Sequence, residues 1–259
     1  MKERLSIGLL QADLIWQSPK ENRRLMTRLL DEEGLGLDLA ILPEVFTTGF
    51  TNAAQDLAEP TEGPTLDWMG NLAAHRNITI TGSYLVREGD HFYNRLIWMP
   101  PNGDYGIYDK RHLFSMAGEH EIFSAGKQRV VFTCNGWRCC PMICYDLRFP
   151  VWSRSRADYD LLFYVANWPE ARAAQWARLL PARAIENQAY VAGVNRVGID
   201  GEGFVYVGDS QILNTLGEPM ADNVGGETIV RTELSAIKLA QQRDRFPVLD
   251  DADEFVLKL

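Results

Sequence analysis

The sequence predicts an α/β protein in which two β-sheets pack face to face, with helices on both outer surfaces. Three observations carry this. The segments at residues 37–42, 161–166 and 190–195 are apolar over nearly their whole length, so strands formed there need cover on both faces. Amphipathic helical stretches alternate with them. Two hairpin signals interrupt the alternation in mid-chain, and a single doubly wound sheet, the alternative arrangement, explains these less well.

Taken in order, residues 5–10 read as a buried strand, and residues 21–33 as an amphipathic helix with Leu25, Leu29 and Leu30 on one face. The strand at 37–42 is stopped by Pro43, and a helix over 65–75 precedes a strand over 78–86. Residues 92–98 and 105–108 form antiparallel partners around the turn at 101–104. Residues 130–133 and 137–143 repeat this around Asn135-Gly136, a pair that favours a tight hairpin. A short helix over 151–157, a strand over 161–166, a long helix over 171–187 and a strand over 190–195 follow. Three or four short strands between 203 and 230, with a turn at Leu216-Gly217-Glu218, lead to a last helix over 234–242.

The 259 residues are 46% hydrophobic and contain no Pro/Gly/Ser-rich linker or charge block, so one domain over 1–259 is expected. A net charge of -9 with scattered basic residues argues against nucleic acid or an anionic membrane as partner. The apolar run after Met1-Lys2-Glu3-Arg4 contains Gln11 and Asp13 and is too short and polar for a signal peptide or a membrane span, so a cytoplasmic location is expected. Cys134, Cys139, Cys140 and Cys144 lack zinc-site spacing, and His75, His91, His112 and His120 show no ligand-like spacing to them. Cys134 and Cys139 could face each other across Asn135-Gly136 as a disulfide; in a cytosolic protein, reduced packing thiols are favoured.

Cys144 ends the apolar run Pro141-Met142-Ile143 and is followed by the polar turn Tyr145-Asp146-Leu147-Arg148, just before a helix. A thiol at a strand's carboxyl end is well placed to be a nucleophile; taken alone it would equally serve as a buried, inert cysteine. His112 is the obvious histidine base, yet no second group points to a Cys-His pair. Two other strand ends deliver useful chemistry: Leu42-Pro43-Glu44 a carboxylate, and Tyr108-Asp109-Lys110 an ammonium. Each alone reads as a solvated charge; with Cys144 they read as a site.

These three blocks, completed by Arg111-His112-Leu113-Phe114 and by Phe149-Pro150, resemble the signature blocks of the nitrilase (carbon–nitrogen hydrolase) superfamily. They stand in that family's order, Glu, Lys, Cys, at intervals of 66 and 34 residues. Residues 44–50, 164–169 and 182–188 further resemble the branch of YafV-like bacterial omega-amidases. The resemblance implies a four-layer α-β-β-α sandwich, no metal and no cofactor, and a homodimer paired through the helices of one outer face. It implies Glu44, Lys110 and Cys144 as the catalytic triad, with a second glutamate before the glycine that closes the lysine loop. Counting seven residues back from Gly126 selects Glu119 over Glu121.

On this reading Cys144 attacks an amide carbon and forms a thioester, while Glu44 serves as base and then acid. Lys110 and the Tyr145 backbone N–H hold the oxyanion, and Glu119 bonds to Lys110 or to the substrate. Lys110 and a helix N-terminus are expected to favour the Cys144 thiolate. For a dicarboxylic monoamide, Arg148 is the candidate for the far carboxylate, against a salt bridge to Asp146. Phe46, Phe114 and Trp168 are candidate apolar walls; Asp146 and Asn167 read as loop-ordering, Glu186 and Asn187 as packing anchors, and Trp137, Trp152 and Trp176 as core. The expected substrates are 2-oxoglutaramate-like monoamides. The alternatives are a nitrile, an N-carbamoyl amine or deaminated glutathione on the same triad, or a non-catalytic binding protein of the same fold.

Overall fold

Parity along the first strand fixes the layering. In β1 (Arg4–Gln11), Leu5, Ile7 and Leu9 project to one side and Leu10 to the other. The computed structural model describes residues 1–222 and 225–258; residues 223, 224 and 259 of the expected domain lie outside the described residues. β1 pairs in parallel with β2 (Leu39–Ile41) and antiparallel with β14 (Thr228–Ser235). Beyond β2 come β4 (Thr79–Glu88), β5 (His91–Met99) and β6 (Gly106–Asp109), with the short β3 (Glu59–Pro60) beside β4. The second sheet has the order β13 (Gln211–Leu213), β10 (Tyr190–Asn195), β9 (Leu161–Ala166), β8 (Trp137–Ile143) and β7 (Phe132–Cys134). A separate ribbon joins β11 (Val197–Ile199) and β12 (Val205–Val207).

The inner residues of the first sheet, among them Leu5, Ile7, Leu9, Leu96 and Trp98, share one core with Trp137, Leu161 and Phe163 of the second. Trp98 spans the gap, its ring 6.1 Å from that of Phe163 and stacked on Phe132 at 5.4 Å. The outer residues Leu10, Ala40, Ile97 and Met99 pack instead on α1 (Pro19–Glu33) and α3 (Pro64–Arg76). α6 (Ala173–Asn187) covers the second sheet, closing on β10 where Gly193 leaves room for Leu180 and Trp176. The result is the four-layer α-β-β-α sandwich, and each fully buried Leu or Phe contributes about 1.5–3 kcal/mol to it. Among the described residues no helix is long and apolar enough to cross a membrane.

Several elements differ from the expectation. The helix expected over 151–157 is only α5 (Pro150–Ser153), because Arg154 turns extended and Ala157 takes a left-handed φ of 57°. A 3-10 turn, Glu170–Arg172, precedes α6. The helices α2 (Ala54–Leu57) and α4 (Glu119–Ile122) are too short to leave a periodic signal; the final helix, α7 (Ala236–Arg245), starts two residues later than expected. Asn135 and Gly136 do form the tight turn, both with positive φ. The register places Trp137 opposite Cys134 and Phe132 opposite Cys139, and all four cysteines are free thiols.

Candidate active site

Three strand ends and one loop meet at the same place. β2 runs out through Leu42 into a loop stitched to β4: Leu42 N–H donates to Thr81 O at 2.7 Å, Val45 N–H to Ser83 Oγ at 2.8 Å, and Phe46 N–H to Ser83 O at 2.9 Å. Glu44 stands at the turn, wholly buried, beside a strained β-branched Val45 at φ 38°. Its carboxylate is fixed from three directions. Oε1 accepts from Asn94 Nδ2 and from Lys110 Nζ, each at 2.9 Å, and Oε2 accepts from the Asn167 N–H at 2.9 Å. Asn167 also donates from Nδ2 to the Glu44 carbonyl.

Lys110 follows β6, where its N–H donates to Asn94 O at 3.0 Å. Its carbonyl accepts from Gly126 N–H at 2.9 Å, which closes the loop back on itself. A Cβ at position 126 would sit 2.1 Å from the Asp109 carbonyl, so only glycine allows this approach. The Lys110 ammonium lies between Glu44 and Glu119 at 2.9 Å from each, all three side chains being shut off from solvent. Glu119, the first residue of α4, is fixed in turn by the Phe114 N–H at 2.6 Å. Glu121 is exposed, so the acid beside Lys110 is Glu119. An ammonium has three donors. Two are used here, leaving one for a group placed at Cys144.

Burial would strip the charge from Lys110, but Glu119 and Glu44 overcome it and hold the ammonium well above the ordinary lysine range. Burial also raises Glu119, which Lys110 only partly offsets. Cys144 opens a 3-10 turn (Cys144–Arg148) with a left-handed φ of 42°, a strained conformation of the kind found at functional sites. Asp146 holds this turn by accepting from the N–H groups of Ile143 and His112, each at 2.9 Å, and from the Tyr108 hydroxyl at 2.6 Å.

The thiolate expectation is corrected. Burial, and then the negative charge of Glu44, push Cys144 well above the ordinary thiol range, with Lys110 opposing. A thiolate would add a second net negative charge to a cluster of two carboxylates and one ammonium. The helix expected to assist it is the four-residue α5, which begins six residues later. Burial and the neighbouring carboxylates thus favour the thiol over the thiolate at Cys144.

Cys144 and Lys110 lie at the base of a cavity of about 320 Å³. Tyr145, Arg148, Phe114 and Trp168 line it, as expected. Phe46 does not: it is fully buried against Trp68 and Tyr84 on the helical side of the first sheet, and Phe50 lines the cavity instead. Arg148 lies over the Trp168 ring at 5.1 Å, while Asp146 is occupied elsewhere, so the alternative Arg148–Asp146 salt bridge is not formed. His112 bonds to Asp146 at 2.7 Å and stacks on Phe149 at 3.8 Å, which makes it a structural residue. Asn187 accepts from the Ser155 N–H at 2.8 Å, and Trp137, Trp152 and Trp176 are core.

Sequence reasoning missed Asn94, Phe50 and Arg172. The signal for Asn94 was present: a polar amide within an otherwise apolar strand is buried only if bonded. Arg172 left none, because an arginine in the first turn of the helix expected over 171–187 reads as solvated.

Residues 6–243 match the carbon-nitrogen hydrolase family. The chain is 48% identical to the omega-amidase YafV of Yersinia enterocolitica over 255 residues, covering 98% of both. It is 34% identical to the 2-oxoglutaramate amidase of Bacillus subtilis, covering 95% of this chain and 96% of that one. The crystal structure of a CN-hydrolase superfamily protein from Xanthomonas campestris, with an arsenic adduct in its active site, superposes with a TM-score of 0.96 at 46% identity, covering 98% of this chain and 99% of that one. Three ordered motif blocks, the four-layer sandwich and these full-length similarities agree: the chain belongs to the carbon-nitrogen hydrolase family.

Proposed function

We propose that the protein is an omega-amidase, hydrolysing the terminal amide of short dicarboxylic monoamides such as 2-oxoglutaramate. The observation that carries this is a thiol beside a fixed carboxylate and a buried ammonium, at the base of a small cavity whose wall bears the unpaired Arg148. The names of the two relatives, omega-amidase and 2-oxoglutaramate amidase, support the same reading.

Cys144 Sγ adds to the amide carbon as its proton passes to Glu44. The oxyanion is held by the third N–H of Lys110 and by the Tyr145 N–H, which lies in the first turn of a 3-10 segment where backbone donors have no internal acceptor. Glu44 returns the proton to nitrogen as the C–N bond breaks and ammonia leaves. It then deprotonates water, which cleaves the thioester and restores the thiol. Glu119 does not meet the substrate in this scheme; it positions Lys110. Arg148 takes the far carboxylate, and Phe114, Tyr145 and Trp168 wall the acyl chain.

Ammonia release from 2-oxoglutaramate and 2-oxosuccinamate, set beside a short nitrile, an N-carbamoyl amine and deaminated glutathione, is the test. Preferential turnover of the two omega-amides is expected, and no turnover of either would refute the reading. The reading includes a cytoplasmic homodimer paired across an outer helical face, where Ile185 of α6 and Ile237 of α7 are exposed. A solution mass equal to one 29.3 kDa chain would count against the pairing.

A further inference from the structure

Arg172 holds an unusual place for a cation at the start of a long helix. It occupies the N-cap of the fifteen-residue α6, where the helix dipole disfavours a cation and where Ser, Asp or Asn would bond the free N–H groups. No acidic residue in the first turn offsets it. Elsewhere in the protein, sheltered arginines are paired: Arg95 with Asp109, Arg129 with Asp158, and Arg243 with Asp160. Among the described residues, Arg148 and Arg172 have neither a carboxylate nor a carbonyl partner for their guanidinium groups, and both line the cavity above Cys144.

Each is held by an aromatic ring instead. Arg148 lies over Trp168 at 5.1 Å and Arg172 over Phe114 at 5.2 Å. Trp168 ties the two together, since its Nε1–H donates to the Arg172 carbonyl at 2.7 Å. Lys110, the third cation of the cavity, is already neutralised by Glu44 and Glu119. Among the described residues, the one carboxylate on the cavity wall, Glu202, is exposed and leaves the two guanidinium groups with net positive charge.

We infer that Arg172 is a specificity-determining residue, a second guanidinium that joins Arg148 in binding the carboxylate at the far end of the acyl chain. Two planar forks on the wall of one cavity would together supply donors for both oxygens of a carboxylate, which favours acyl chains ending in an anion over neutral chains of the same length. The identity of the acyl chain as that of an amide rests on the proposed function; the anion-binding role of Arg172 does not.

Succinamate and butyramide share the amide and differ at the far end, carboxylate against methyl. In Arg172→Gln, KM for succinamate should rise at least tenfold with kcat little changed, while butyramide kinetics stay within twofold; Arg172→Lys should recover part of the loss. Calorimetric binding of succinate, which needs no turnover, should weaken at least tenfold in Arg172→Gln and less in Arg172→Lys. Equal losses for both amides, unchanged succinate binding, or no saturable succinate binding by the unaltered protein would each overturn the inference. Succinate binding that depends on Arg172 without ammonia release from any omega-amide would instead overturn the amidase reading and leave the anion site standing.

Discussion

Cys144→Ala is expected to lower kcat for omega-amide hydrolysis by about 10⁵–10⁶-fold, the scale on which enzymes lose rate when a covalent nucleophile is removed. Stability should change by less than about 1 kcal/mol, since the substitution removes one sulfur from a half-buried position and leaves the backbone path intact. A stopped assay for ammonia and a urea melt of the same preparation separate these effects. Residual activity within a hundredfold of the unaltered protein would remove Cys144 from the mechanism. The raised thiol pKa adds a second expectation. Alkylation of Cys144 by iodoacetamide should accelerate with pH and reach no plateau below 9.0, the ordinary thiol value here. A plateau near neutral pH would mean a preformed thiolate, and the proton transfer to Glu44 would then be unnecessary.

Lys110→Met should damage both activity and stability. It removes the oxyanion donor, a loss of at least about 10²–10³-fold in kcat by analogy with other oxyanion sites. It also leaves Glu44 and Glu119 buried with no cation between them. Breaking a buried ion pair from one side costs about 3–5 kcal/mol. Urea midpoints should fall accordingly. Adding Glu119→Gln to Lys110→Met relieves one of the two uncompensated charges, so stability should partly return while activity does not. If the double variant is no more stable than the single one, the repulsion argument fails. If its activity returns with its stability, Lys110 acts only as a structural counter-ion.

The fold was legible in the sequence wherever periodicity was long. The apolar strands now forming β8, β9 and β10 and the long helix α6 are all placed within a few residues, because a fully buried strand and an amphipathic helix each leave a continuous pattern. Elements of three or four residues, such as α2, α4 and β11, carry no such pattern. Nor does the sequence tell β13 from β14. One is an edge strand of the second sheet and the other pairs with β1 in the first, a choice made by contacts far away along the chain.

The site divides along the same physical line. Glu44, Lys110 and Cys144 can be read from the sequence because each ends a strand, and strand ends announce themselves through an abrupt change from apolar to polar residues. Side-chain direction does not. Val45 turns through a positive φ, which sends Phe46 into the helical layer and leaves Phe50 to line the cavity. The bonds from Asn94 and Asn167 to Glu44 span 50 and 123 residues of chain. The sequence by itself determined the residue types, their order and the layered class of the fold, because these follow from local periodicity and motif. Only the tertiary structure decided the buried, carboxylate-flanked surroundings of Cys144, the placement of Arg172 and the separation of Phe46 from the cavity. These depend on burial, nearby charge and backbone direction, which arise when distant strands meet.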